Sequence, residues 1–82
     1  MLQEAVNDNQ RIMTLINALS GTLRNIDAEF EYELARARST ARPDIRPVVM
    51  DTVRRRYQQR REPYVQKLAE LRSRVKAVEI YA

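Results

Sequence analysis

One glycine and three prolines are all the turn-forming punctuation this chain has in 82 residues. Two of those prolines, Pro43 and Pro47, fall in one short segment, STARPDIRP. A sheet protein reverses direction every few residues and needs many such positions. The chain therefore reads as all-α, with one place to turn near its middle.

Hydrophobic spacing on either side of that turn agrees. With Leu2 as position a of a heptad, the a series runs Leu2, Asn9, Ile16, Leu23, Phe30 and Ala37, and the d series Ala5, Ile12, Leu19, Ile26 and Glu33. Nine of these eleven positions are apolar, which predicts one helix over about 2–40. Gly21 falls at f, the solvent side, where it weakens the helix without disturbing its phase. Pro43 disfavours helix at Arg42, so the turn is placed at 41–44, with Asp44 as the expected N-cap of a second helix over about 45–81. In that helix Met50, Tyr57, Tyr64, Leu68, Leu71, Val75, Val78 and Ala82 keep one heptad phase. Pro63 lies inside it, lacks an N–H and crowds the Gln59 carbonyl, so a kink is expected near 59–63. The expected architecture is a single domain, a long antiparallel helical hairpin.

Charge is divided between the arms. Residues 1–41 hold four arginines against six carboxylates, net −2, and residues 42–82 hold eleven cations against five, net +6. Folding the hairpin about Asp44 pairs residues whose numbers sum to about 87. Ile16 then faces Leu71, Ile12 faces Val75, Leu23 faces Tyr64 and Phe30 faces Tyr57. The same register sets the acidic run DAEFEYE, residues 27–33, against the arginines of VRRRYQQRREPYV, residues 53–65, and brings Glu33 to Arg54. Apolar pattern and charge choose one register, as a foldable sequence should.

Each apolar stripe is wider than one helix–helix seam can cover. Val6, Met13, Leu15, Leu34, Val49 and Ile80 would stay wet on a lone hairpin, which forfeits several kcal/mol at roughly 25 cal/mol per Å2. The expected remedy is a homodimer, two hairpins forming an antiparallel four-helix bundle. Asn9 on the a face reads either as a tolerated polar residue near a helix end or as a buried partner of its symmetry mate.

Function classes narrow by exclusion. With no histidine and no cysteine the chain lacks the usual general base, thiol nucleophile and soft metal ligands, and no glycine-rich phosphate loop is present. The expectation is a non-enzymatic chain with no cofactor, metal or small-molecule substrate. No apolar run approaches the roughly 20 residues that span a bilayer. The opening MLQEAVNDNQ lacks the basic-then-apolar order of a signal peptide, so a soluble, cytoplasmic protein is expected. Chains of this size and build are common in bacteria and phages.

What remains is a small interaction protein (an adaptor, assembly subunit or inhibitor) that binds itself and another protein through helix faces. Met13, Tyr32, Val49 and Ile80 are the expected partner-binding residues. The alternative is a dimeric nucleic-acid binder using Arg55, Arg56, Arg60 and Arg61 with Tyr57 as a stacking platform.

Overall fold

The computed structural model describes the backbone of residues 2–81 and the side chains of residue 4 and residues 7–75. It is all-helical. Helix α1 spans Leu2–Thr40 and helix α2 spans Arg46–Tyr81, and the two pack against each other as a hairpin. The molecule measures 62 × 15 × 13 Å, close to the ~58 Å that 39 residues at 1.5 Å each require. Neither helix, within the described residues, is long and apolar enough to cross a membrane.

The turn is built by backbone and one guanidinium. Ala41 N–H closes the last turn of α1 on the Ala37 carbonyl at 3.0 Å. The Arg42 carbonyl then accepts from both Ile45 N–H (3.1 Å) and Arg46 N–H (2.9 Å). Arg46 Nη2 donates to the Ala41 carbonyl at 3.1 Å, satisfying an acceptor that α1 leaves open. Asp44 does not cap α2. The first helical acceptor is the Ile45 carbonyl, which receives Val49 N–H at 3.1 Å. The donors Asp44 would have captured are gone: Arg46 N–H is already bonded, and Pro47 has none. Asp44 instead lies 3.8 Å from Arg42 Nε.

α2 runs through Pro63 as one helix, so the proline does not break it. The fully packed core is small. Ile16, Leu68 and Leu71 form its centre, with Ile12, Leu19, Leu23 and Val75 against them. Ile26 and Ala37 are buried separately, nearer the turn. Phe30 and Tyr57 stack with ring centroids 3.9 Å apart and planes 12° from parallel. Both this pair and the Ile16–Leu71 cluster follow the register in which paired numbers sum to about 87. Gly21, expected on the solvent side, is half-buried, and a Cβ there would meet only Arg24 Nη2, at 3.7 Å.

Candidate interaction surface

Between the two apolar regions the helices are joined by a polar layer. The Tyr57 hydroxyl donates to Asp27 Oδ1 at 2.6 Å. Arg61 Nε lies 3.6 Å from the same oxygen, and the Arg61 guanidinium carbon is 5.8 Å from the centre of the Tyr57 ring. Arg60 Nη1 donates to Glu29 Oε2. These contacts exist because Asp27 lies one turn before Phe30 and Glu29 immediately before it, while Arg60 and Arg61 lie one turn after Tyr57, so ring stacking brings the charges together. The Asp27 carboxylate, accepting from the hydroxyl, raises the Tyr57 phenol above its ordinary value of 10.0, and partial burial adds to the shift. The Glu29 hydrogen bond and charge likewise raise Arg60.

Much of the arginine run is thus answered inside the chain. Arg54 is answered too, but not by Glu33: it donates to Asp51 at 3.3 Å, one turn away on its own helix. Asp51 lies three residues before Arg54 on the same helix face, the spacing at which helical side chains meet. Glu33 instead lines a shallow groove of about 110 Å3 with Ile26, Phe30, Arg56, Tyr57 and Arg60. Of the nucleic-acid candidates, Tyr57, Arg60 and Arg61 belong to the polar layer. Arg55 and Arg56 are exposed and join no ion pair among the described residues.

The partner-binding candidates fall in different settings. Met13 is 43% exposed and Tyr32 67% exposed. Val49 is half-buried and lines a groove with Val53 and Ala37, while its neighbours Val48 and Ile45 take the surface. The Ile80 and Val6 side chains lie outside the described residues. Leu15 is exposed and Leu34 half-buried. Asn9 is half-buried, and its Oδ1 meets no donor among the described residues.

Sequence reasoning passed over a second groove. Ser20, Leu23 and Arg24 of α1 and Arg61, Val65, Leu68 and Arg72 of α2 enclose about 420 Å3. Its signal was present in the spacing: Arg61, Val65, Leu68 and Arg72 recur at four, three and four residues, a single helical stripe. No protein-family model, curated protein or solved structure matches this chain.

Proposed function

We propose that this chain is a small, non-enzymatic protein–protein interaction module that works as a homodimer, two hairpins packed into an antiparallel four-helix bundle. The observation that carries this reading is surface area. A folded monomer of 9.7 kDa is expected to expose about 5,100 Å2, whereas this hairpin exposes 6595 Å2. The excess is roughly 1,500 Å2 per chain, and a stable interface needs about 800 Å2 from each partner. Met13, Leu15, Tyr32 and Val48 supply exposed apolar anchors for self-association or for a second protein. Of these, Met13 and Tyr32 belong, with Val49 and Ile80, to the set chosen from the sequence. The reading includes a bend of α2 near Pro63, where the Gln59 carbonyl has no helical donor.

Sedimentation equilibrium tests it. Twice the 9.7 kDa chain mass at micromolar concentration supports the bundle. A rigid monomer that binds no other macromolecule overturns it. Nucleic-acid binding is the second reading, favoured by Arg55 and Arg56, which join no ion pair among the described residues. Undetectable oligonucleotide affinity at low salt removes it, because phosphate contacts are strongest there.

A further inference from the structure

We propose that the groove between Arg24, Arg61 and Arg72 docks an acidic amphipathic helix from a partner protein. This rests on reading the chain as an interaction module and specifies the partner's chemistry. The groove combines three guanidiniums with an apolar floor of Leu23, Val65 and Leu68, and among the described residues no carboxylate lines it. Arg24 and Arg72 have no ion-pair partner among the described residues. Arg61 has one carboxylate nearby, Asp27, which also accepts from the Tyr57 hydroxyl, and its Nε makes no hydrogen bond among the described residues. Cations rim the floor at both ends of α2's stripe, and the eleven helical steps from Arg61 to Arg72 rise ~16 Å, about three turns. A helix with an apolar stripe flanked by carboxylates matches that pattern in both shape and sign.

Two other occupants fit less well. A second copy docked two-fold on this groove would oppose three guanidiniums with their own mates, six cations with no lining carboxylate to offset them. Single-stranded nucleic acid would find no aromatic side chain among the described lining residues on which to stack a base, and would leave the aliphatic floor unused.

Fluorescence anisotropy on the full chain tests the assignment. The probe is a labelled amphipathic peptide of about 14 residues with a leucine stripe flanked by glutamates, beside a version with glutamine at every glutamate. The acidic peptide is expected to bind at least about tenfold more tightly than the glutamine version. Arg24→Gln with Arg72→Gln is expected to lose about tenfold of that affinity, while Arg55→Gln with Arg56→Gln changes it little. Equal affinity for the two peptides overturns the proposal. So does an unaffected Arg24/Arg72 double variant, or a labelled single-stranded oligonucleotide that displaces the peptide through the same arginines. Circular dichroism confirms that the variants stay helical. Sedimentation of the same samples separates the two readings. A dimer that ignores the acidic peptide overturns this groove alone, and a monomer that binds it upholds the groove and removes the homodimer.

Discussion

The Tyr57 hydroxyl donates a 2.6 Å hydrogen bond to Asp27, thirty positions earlier in the chain, and so ties α2 to α1 on the turn side of both helix midpoints. Its ring stacks on Phe30 at the same level. One side chain thus contributes both packing and a directional bond between the helices. Tyr57→Phe keeps the stack and deletes the bond. It is expected to cost about 1 kcal/mol, the usual net worth of such a bond, read from the urea midpoint at unchanged m-value.

The same bond predicts an alkaline limit to stability. The folded-state ionisation of Tyr57 is raised above 10.0, chiefly by the Asp27 hydrogen bond, so the unfolded chain loses that proton first. Its stabilising contribution is complete below the unfolded value and is lost as pH climbs through the raised folded value. Tyrosinate absorbance should show one phenol titrating late, and the late step should vanish in Tyr57→Phe. Denaturation midpoints of the parent should decline above about pH 10 more than those of the variant.

Leu71 is 1% exposed and sits at the centre of the main core cluster, so Leu71→Ala should be severe. A loss of about 2–5 kcal/mol is expected, enough to unfold a chain of this size at moderate temperature. Tyr32, 67% exposed, should behave oppositely: Tyr32→Ala should stay within about 0.5 kcal/mol in thermal unfolding. If Tyr32 anchors a partner, its loss shows in binding or self-association and not in the fold.

Gly21→Ala should stabilise the protein. A Cβ at Gly21 would make one ordinary contact, 3.7 Å from the Arg24 guanidinium, and the surrounding backbone is regular helix. The gain expected from lower unfolded-state entropy and better helix propensity is about 0.5–1 kcal/mol. A lower melting temperature would mean that Arg24 needs the bare backbone beside it.

The hairpin was legible because two independent patterns, heptad spacing and charge, fixed the same pairing. That pairing correctly put Phe30 on Tyr57 and Ile16 with Leu71. Individual ion pairs were less legible. Glu33 and Arg54 are complementary in sign and share the expected level, yet Arg54 takes Asp51. Long flexible side chains choose among neighbours by torsion and local entropy, which a residue spacing does not encode. The Asp44 cap failed for a different reason. Pro47 and the Arg42 carbonyl remove the donors it would have bound, and only the path of the turn reveals that the Arg46 N–H is taken. The three-arginine groove went unnoticed because its residues come from both helices at positions flanking the seam, where each reads singly as ordinary solvent-facing charge.

Arg46 clasping Ala41 also bears on how the chain finds its shape. Loops lengthen from the bend outward: residues near Ala37 meet α2 after a short excursion, whereas Ile12 reaches Val75 only by enclosing most of the polypeptide. Closing the short loops first is entropically cheaper, so zipping is expected to begin at the bend and travel toward the open end. Yet the main apolar cluster, around Leu71, lies toward the open end and is therefore expected to form late. Substitutions at Arg46 should therefore slow folding, and those at Leu71 should mainly hasten unfolding.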